Sequence, residues 1–453
     1  MHSSLSPTMT FSYDRLEQEI AAGFRDYFRL IVPEPQNRVP ITPTIFPYTL
    51  SYLIPFFFLA YLSRRPDTYL IRLLLLPIVI ACALASAFRY CWTIPSLNVY
   101  NWGQGLAAEV VIAKALEYSL TPSGMLRIGE SRPNEPKGKE KAATNGDAQH
   151  ANGLHPKLEP ENSSSYSSFS SAIGDAIRLI HEMRGLGWKY GTGVHFPPPT
   201  RSLERSKFLQ ATFWSFIAHY LLLDLLESII KIFPRVGTPA GGSIFYQNLP
   251  SPQRYVVSTA IHLLTGSALL SGFHMVYNLV TFIAVYICDD SPALWPPVMD
   301  HPWSSDSMHI FWAKRWHQLL RRTFVVYGGY PGKWIAGDWG AVLGTFLASG
   351  LFHECSIYAM GRGFDPIVPL FFISQAPILI LEKLWRITTG QRVRGWLGTL
   401  WVYFVMFILA QPLTDSWHRR GLGGGMVIPP FISPAKFILP VLIRTFNATV
   451  LTK

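Results

Sequence analysis

Long apolar runs without a charged side chain recur along the whole chain, separated by shorter stretches in which Lys and Arg collect. Three runs contain no Lys, Arg, Asp or Glu at all: residues 45–62, 255–288 and 396–414. Shorter uncharged cores follow at residues 73–88, 208–223, 340–353 and 366–381. Because about 20 apolar residues form a helix that crosses a bilayer, the pattern predicts an all-α polytopic membrane protein. We expect eight or nine transmembrane helices.

The run at residues 255–288 is longer than one crossing requires. Its 34 residues would form a helix of about 51 Å, whereas the hydrocarbon layer is only about 30 Å thick. We therefore expect either a strong tilt or a break near Gly266 or Gly272.

Residues 101–118 are apolar but are interrupted by Glu109 and Lys114. Such a segment is either a further crossing that lines a polar interior or a helix that lies in the interface. The pattern of residues leaves both interpretations open.

The composition changes between residues 121 and 206, where Lys, Glu, Pro, Asn and Ser replace most apolar residues. A stretch of this kind cannot bury enough apolar surface to order itself, which predicts a flexible cytosolic loop. The chain is thereby divided into an N-terminal membrane region at residues 1–120, the loop at 121–206 and a second membrane region at 207–453.

Composition and charge fit this prediction. The chain of 453 residues is 49% hydrophobic and 15% charged, against about 25% charged residues in soluble domains. A net charge of +11 could indicate nucleic acid binding, but Lys and Arg gather between the apolar runs, as the positive-inside bias predicts. If residues 101–118 cross, the basic connections at 64–65, 314–322 and 383–394 all lie on the cytosolic side. The four cysteines show no paired spacing, so we expect neither a disulfide framework nor a metal site.

Residues 308–322 form a basic and aromatic segment that a helical period of about 100° per residue would make amphipathic. One face would carry Met308, Trp312, Trp316, Leu319 and Leu320, and the other Lys314, His317, Gln318 and Arg321. The pattern predicts an interfacial helix with its tryptophans at headgroup level and its cations toward water. The helix is either an anchor that binds anionic lipid or a site where a phosphate-bearing donor finds charged partners.

His353 ends the apolar run at residues 340–353, and an ionisable group at such a depth is a candidate functional residue. Two stripes of small residues precede it, which would allow close helix contact in a bilayer: Gly340, Gly344 and Ala348, and beside them Ala341, Thr345 and Ser349. His353 is either a packing histidine bonded to a neighbouring helix or a general base. Its position beside Glu354, on a face that can border a cavity, favours the general base.

Four stretches spread over roughly residues 180–420 carry a family resemblance. They are Arg184-Gly185-Leu186-Gly187-Trp188, Tyr220 to Leu225, Phe311-Trp312 through Arg315-Trp316-His317-Gln318, and Ser349-Gly350-Leu351-Phe352-His353. With these motifs the chain resembles the wax synthase-like branch of the membrane-bound O-acyltransferases, particularly the fungal members of terpenoid and meroterpenoid pathways. The N-terminal third is similar only in its hydropathy layout.

The resemblance implies that an acyl-coenzyme A donates its acyl group to a hydroxyl inside a helical membrane fold, in which residues 207–453 form the catalytic region. The family's intramembrane histidine corresponds to His353. The polar residue of its Phe-Trp motif, asparagine in many relatives, corresponds to His317, which either takes part in the chemistry or positions the donor. We expect Lys314, Arg315, Gln318 and Arg321 to bind the donor.

The long insert and the overall layout are similar to the fungal group, which favours acetyl-coenzyme A as donor and a terpenoid or meroterpenoid alcohol as acceptor. We expect a multi-pass protein of the endoplasmic reticulum. Two alternatives are a wax ester synthase that uses long-chain alcohols and a transporter or lipid-binding protein without chemistry. The scarcity of charge within the apolar runs and the absence of an evident internal repeat argue against the transporter.

Overall fold

The computed structural model describes residues 13–130 and 169–441, and helices account for most of them. Within these ranges the strands amount to one short parallel pairing between β1, Val39–Pro40, and β2, Tyr90–Cys91. The predicted all-α class is therefore confirmed.

The helices follow one another in this order: α1 Tyr13–Ile31, α2 Phe46–Thr49, α3 Leu53–Ser63, α4 Tyr69–Phe88, α5 Asn98–Leu120, α6 Phe169–His181, α7 Arg205–Ile230, α8 Ser251–Tyr286, α9 Met308–Ile310, α10 Arg321–Phe324, α11 Tyr330–Tyr358, α12 Ile367–Thr389, α13 Gly395–Phe404 and α14 Gln411–Arg419. Three π-helical segments continue α9, α10 and α13, namely Phe311–Arg315, Val325–Gly329 and Val405–Leu409. Residues 434–441 are also helical.

Seven stretches are long and apolar enough to cross a membrane. They are Phe46–Ser63, Tyr69–Phe88, Arg205–Ile230, Ser251–Tyr286, Arg321–Tyr358, Ile367–Thr389 and Gly395–Arg419. Helix α5 is not among them, because Glu109 and Lys114 lower its hydropathy. It nevertheless runs the length of the bundle, since Asn98 at its start bonds to the Met360 carbonyl and Ser119 at its end bonds to the Arg72 carbonyl. The structure thus favours the interpretation of α5 as a further crossing.

Helix α8 is one continuous helix of 36 residues, about 54 Å long. The break that we considered near Gly266 or Gly272 is absent. A Cβ on Gly266 would meet nothing within 4 Å, and one on Gly272 would touch only Leu223. No neighbouring element packs closely against either glycine and bends the helix there. We therefore expect α8 to accommodate its excess length by tilting relative to the bilayer normal.

The apolar stretch Arg321–Tyr358 is a hairpin of two helical arms. Ala336, with φ −140° and ψ 28°, and Gly337, with φ 61° and ψ −147°, interrupt the helical backbone in its middle. The positive φ of Gly337 belongs to the region that favours glycine. The arms at residues 321–335 and 338–358 therefore turn back on each other at this point.

The arms of the hairpin touch through glycine. A Cβ added to Gly328 would lie 1.9 Å from the Gly344 carbonyl oxygen, and one on Gly332 would lie 2.0 Å from that of Gly340. Ala348 continues the same line of contact, against Gly328. The predicted stripe of small residues is therefore the packing surface of this hairpin, as expected for close helix contact.

The connections at one end of the bundle pack together, and we call this end the loop face. His195 Nε2 lies 3.1 Å from the Asp300 carboxylate, and the Gly395 backbone N–H donates to Asp306 at 3.3 Å. The loop face comprises residues 121–130, 169–204, 287–308 and 390–395. Residues 359–366 lie at the opposite face, together with residues 231–250 and 420–433, where the Gly242 N–H donates to the His418 carbonyl at 3.1 Å.

The basic connections that we expect on one side of the membrane share the loop face. Arg64 Nε donates to Asp175 of α6 at 2.9 Å, so the turn after α3 meets the flank of the predicted flexible loop. That flank packs as a helix because α6 buries Ala172, Ala176 and Leu179. Residues 131–168, the rest of the predicted loop, lie outside the described residues. The division into three regions and the cytosolic position of this face stay predictions.

The tip of the hairpin also lies at the loop face. Lys383, near the end of α12, is 4.2 Å from the ring of Trp339 beside the tip, and the adjacent Glu382 accepts the backbone N–H of Met308 at 2.7 Å. Residues 287–335 thus leave the loop face, enter the bundle and return to it, and we call them the re-entrant segment. The first arm of 15 residues spans only about 22 Å, too short to cross. The seven candidate spans and α5 together make eight segments that could cross in the described part of the chain.

Candidate active site

The predicted continuous helix over residues 308–322 is wrong. Helix α9 passes into the π-helix Phe311–Arg315, Trp316 is extended with φ −73° and ψ 150°, and helix resumes only at Arg321. The reason is tertiary packing, because aromatic side chains from this segment bury themselves on several sides at once. The Phe311 and Trp316 rings lie 5.4 Å apart, and Trp312 lies 6.4 Å from Phe372 of α12.

Gln318 holds the break in place. Its side-chain Nε2 donates to the carbonyl oxygens of Trp312 at 3.0 Å and Trp316 at 2.7 Å, and its Oε1 accepts from Arg321 at 3.3 Å. These bonds satisfy backbone carbonyls that the interrupted helix leaves without partners. The amide is buried, so its contribution in this structure is to the conformation of the segment.

His317 lies in the break and points into the bundle. We expected it to face water beside Lys314 and Arg321, and this expectation is wrong, because the side chain is 9% exposed. Its ring lies 4.4 Å from that of Phe273 in α8. Phe273 precedes the loop-face end of α8 by 13 residues, so His317 lies about 20 Å along that helix from the loop face. Its Nδ1 is buried without a hydrogen-bond partner among the described residues.

His353 lies at a similar depth, on the second arm of the hairpin. Aromatic rings surround it: Phe372 is stacked on it at 4.7 Å, Phe324 is 6.2 Å away and Trp417 is 6.4 Å away. Its Nδ1 is buried and, like that of His317, has no hydrogen-bond partner in the part of the chain that the structure describes. Since its ring is not bonded to a neighbouring helix there, the packing interpretation of His353 loses its main support.

The two histidines belong to one site. Trp312 joins their surroundings, because its ring lies 6.4 Å both from Trp316, whose ring is 5.3 Å from that of His317, and from Phe372, which is stacked on His353. The indole Nε1 of Trp312 donates to Gln375 at 3.2 Å, which fixes its orientation. The result is a pair of imidazoles inside an aromatic wall, each with a ring nitrogen available for proton transfer.

Glu354 does not support His353, although it is the next residue. It is fully buried and faces Arg420, whose Nη1 and Nη2 donate to its two oxygens at 2.6 and 2.8 Å. The Asp365 N–H donates to it at 2.7 Å. The pair ties the second arm of the hairpin to the end of α14, so its part in the structure is to hold the fold together.

Arg315 is engaged by the loop-face connection that precedes it. Its Nη1 donates to the carbonyl oxygens of Asp300 at 3.2 Å and His301 at 3.1 Å and to Ser304 Oγ at 3.0 Å. The Asp300 carboxyl is held there too. Burial raises its pKa, but hydrogen bonds from His195 and His301 outweigh that effect and hold the pKa below its ordinary value.

Two of the predicted donor-binding cations have side-chain N–H groups that are free to bind a ligand. Lys314 is half-buried and makes no hydrogen bond or ion pair with any described residue. Arg321 is exposed and bonds only to Gln318. Their neighbour Arg322, by contrast, is paired with Glu117 of α5. Lys314 and Arg321 thus have N–H groups left for a ligand.

Arg184 is a residue whose position the sequence reasoning did not predict, although the Arg184-Gly185-Leu186-Gly187-Trp188 motif drew attention to it. It is 5% exposed, and its guanidinium donates to the carbonyls of Pro296 and Pro297 and to the Tyr277 hydroxyl at 2.7–2.8 Å. Arg184 thereby fixes the start of the re-entrant segment against α8. An Arg before a glycine-rich turn was the available signal, but it did not indicate a partner.

The described residues contain no group of three or more His, Cys, Asp or Glu side chains placed to hold a metal ion.

Part of the chain that contains the site matches a known family. Residues 295–374, which contain both His317 and His353, match the family described as membrane bound O-acyl transferase family. The matched stretch covers most of the re-entrant segment, the second arm of the hairpin and the start of α12.

Relatives among characterised proteins are fungal. The chain is 24% identical over 277 residues to "Acetyltransferase eriL" of Hericium erinaceus, 26% over 162 residues to "Acetyltransferase aurG" of Calcarisporium arbuscula and 25% over 292 residues to "Acetyltransferase atnC" of an Arthrinium species. The aligned parts cover 57%, 33% and 57% of this chain and 70%, 39% and 65% of those proteins. The fold, the paired histidines and these similarities together indicate an O-acyltransferase enzyme, which is similar to the membrane-bound O-acyltransferases over residues 295–374 and to fungal acetyltransferases over a longer part of the chain.

Proposed function

We propose that the enzyme transfers the acetyl group of acetyl-coenzyme A to a hydroxyl of a terpenoid or meroterpenoid alcohol within the membrane. The observation that carries the proposal is the pair of imidazoles, His317 and His353, which lie inside the matched stretch and whose buried Nδ1 atoms have no hydrogen-bond partner among the described residues. The names of the relatives favour acetyl over a long acyl chain. The terpenoid class of the acceptor and a location in the endoplasmic reticulum rest on the family resemblance.

In this proposal His353 is the general base. Its neutral imidazole takes the proton of the acceptor hydroxyl as the oxygen attacks the thioester carbonyl carbon. The tetrahedral intermediate then collapses, the carbon–sulfur bond breaks, and the imidazolium returns the proton to the departing thiolate. Ester and free coenzyme A are formed in one direct transfer, without an acyl-enzyme.

His317 would stabilise the oxyanion of that intermediate. A neutral imidazole retains one N–H, and a donor fixed in a site that excludes water contributes about 3 kcal/mol to such a transition state. The buried position of His317 and its contact with Phe273 would supply this preorganisation. Arg315 and Gln318 would contribute to donor binding by holding the re-entrant segment in its shape.

The aromatic wall suits an apolar acceptor. Phe324, Phe372 and Trp417 present ring faces and edges around His353, and such surfaces pack well against a rigid hydrocarbon skeleton. The acceptor would enter sideways from the lipid, and the water-soluble donor would enter from the loop face and reach Lys314 and Arg321 of the re-entrant segment.

The proposal predicts that membranes containing the protein release free thiol from acetyl-coenzyme A only when a suitable alcohol is present. A panel of terpenoid and meroterpenoid alcohols, with thiol release and acetylated product both measured, tests this. Membranes from the same host without the protein are the control. Activity restricted to long-chain acyl-coenzyme A and long-chain alcohols would replace the proposal with a wax ester synthase. Absence of thiol release over the whole panel would contradict it.

A second prediction concerns the donor-binding cations. The double substitution Lys314→Ala, Arg321→Ala should raise the KM for acetyl-coenzyme A by about tenfold or more, because a lost charge-assisted hydrogen bond costs about 1.5–3 kcal/mol. The KM for the alcohol should change little. Initial rates with each substrate varied in turn measure both constants.

Lys207→Ala is the matched control, since Lys207 is an exposed cation near the loop face and already pairs with Glu204 at 2.5 Å. If the double variant folds and its KM for the donor is that of the unaltered protein, the two cations do not bind phosphate and the segment serves only to anchor the protein in lipid.

A further inference from the structure

A second cluster of polar side chains lies in the contact between α7 and α8. The imidazoles of His219 and His274 are stacked, with ring centres 4.6 Å apart and planes within 12°. Arg201, just before α7, reaches the same contact, since it donates to Asn278, which lies one turn of α8 after His274. Nothing in the proposed transfer step uses these three residues, and a cation beside two imidazoles within apolar helices requires an explanation.

The hydrogen bonds of Arg201 go to neutral groups. Its Nη1 donates to Thr212 Oγ1 and its Nη2 to Asn278 Oδ1, each at 2.9 Å. The Asn278 amide donates in turn to Ser215 Oγ at 3.2 Å and the His274 carbonyl at 2.7 Å. Two of the five guanidinium N–H groups are thereby used, and no described carboxylate neutralises the charge.

The imidazoles add further donors. His219 Nδ1 is buried and has no hydrogen-bond partner within the described residues. A neutral imidazole can present an N–H, and a guanidinium with uncompensated charge next to such N–H groups is an arrangement that binds anions through charge-assisted hydrogen bonds. A half-buried positive charge without a carboxylate is stable when an anion completes the site.

The cluster leads from the loop face toward the histidine pair. Asn278 and His274 precede the end of α8 by 8 and 12 residues, which places them about 12 and 18 Å along the helix from that end. The residue next to His274, Phe273, contacts the His317 ring at 4.4 Å. A phosphate held by Arg201 would thus lie nearer the loop face than His317, with an extended thioester arm pointing inward.

We propose that Arg201, His219 and His274 bind a phosphate group of the acyl-coenzyme A donor. The inference rests on the proposed function and deepens it. Coenzyme A carries a diphosphate and a separate 3′-phosphate, so this site and the Lys314–Arg321 pair would each hold one of them. Asn278 orients the guanidinium, and the arm between diphosphate and thioester passes from the α7–α8 contact to His317.

The test compares acetyl-coenzyme A with a donor that lacks its phosphates and its adenosine. For Arg201→Gln, kcat/KM with acetyl-coenzyme A should fall about 10- to 100-fold. With S-acetylpantetheine, which carries the same thioester and no phosphate, kcat/KM should equal that of the unaltered protein. Arg205→Gln is the matched control, because Arg205 lies four residues after Arg201, at the start of α7, and is already paired with Asp289. It should change neither value.

Three results would overturn the assignment. One is an equal fall of kcat/KM with both donors, which would mean that Arg201 acts on the fold. Another is no fall with acetyl-coenzyme A. The third comes from thermal unfolding in detergent, where coenzyme A should raise the Tm of the unaltered protein more than the Tm of Arg201→Gln. If coenzyme A shows no such difference between the two proteins and phosphatidic acid does, the site binds a lipid headgroup. Because this binding measurement needs no turnover, it stands even if no alcohol is acetylated.

Discussion

Replacing His353 with alanine should lower the turnover number with acetyl-coenzyme A about 100- to 10,000-fold, the range that a general base contributes. The acceptor hydroxyl would then have no group to take its proton, since no acidic side chain among the described residues reaches the ring nitrogens of His353 or His317. His353→Gln, which keeps most of the volume inside the rings of Phe324 and Phe372, should lose nearly as much. Thiol release at saturating substrate, per mole of folded protein, measures the effect.

The control for this loss is His301→Ala, because His301 is an exposed imidazole at the loop face with no place in the proposed transfer. It should retain the turnover of the unaltered protein. Folding is checked by the elution of each detergent-solubilised variant as a single species. Turnover within a few-fold of normal in folded His353→Ala would remove His353 from the mechanism, whatever other residues contribute.

Replacing Arg420 with alanine should destabilise the protein by about 3–5 kcal/mol, because it leaves the fully buried Glu354 carboxylate without its partner. A marked fall in the Tm of the detergent-solubilised protein is the expected result. The double variant Glu354→Gln, Arg420→Met should recover much of this loss, because it removes both charges and keeps most of the side-chain volume. Turnover per folded molecule should stay near normal in both variants.

This second experiment distinguishes a structural role of Glu354 from a role in the chemistry of the neighbouring His353. If Glu354 orients or charges the neighbouring imidazole, Arg420→Ala would alter turnover per folded molecule, and the double variant would be inactive although stable. If Glu354 only ties the hairpin to α14, stability changes and turnover does not. The two readouts therefore cannot be confused.

Several features of this protein followed from local patterns. The uncharged runs predict the helices and the membrane class, because a helix in lipid must be apolar over about 20 residues whatever its neighbours are. The stripe of Gly340, Gly344 and Ala348 predicts close packing for an equally local reason, the absence of side-chain bulk at one side of a helix. The family motifs likewise direct attention to His317 and His353 without any knowledge of their surroundings.

Tertiary contacts decided the rest. A helical period over residues 308–322 predicts an amphipathic surface helix, but Trp312, Trp316 and Gln318 find partners on different sides, so the helix breaks and His317 turns inward. The apolar stretch of residues 321–358 resembles one long span, and its reversal at Ala336 and Gly337 depends on two backbone conformations that no hydropathy pattern records.

The sequence by itself thus determined the fold class, the approximate number of crossings and the two histidines. Each depends on the identity of residues near one another in the chain. Only the tertiary structure decided that the two histidines share one aromatic wall, that Glu354 pairs with Arg420 and that Arg201 reaches Asn278, next to the stacked His219 and His274. Some of these residues are more than 70 positions apart in the chain. The free energy that selects their contacts comes from burial and hydrogen bonding between helices, which a local pattern does not encode.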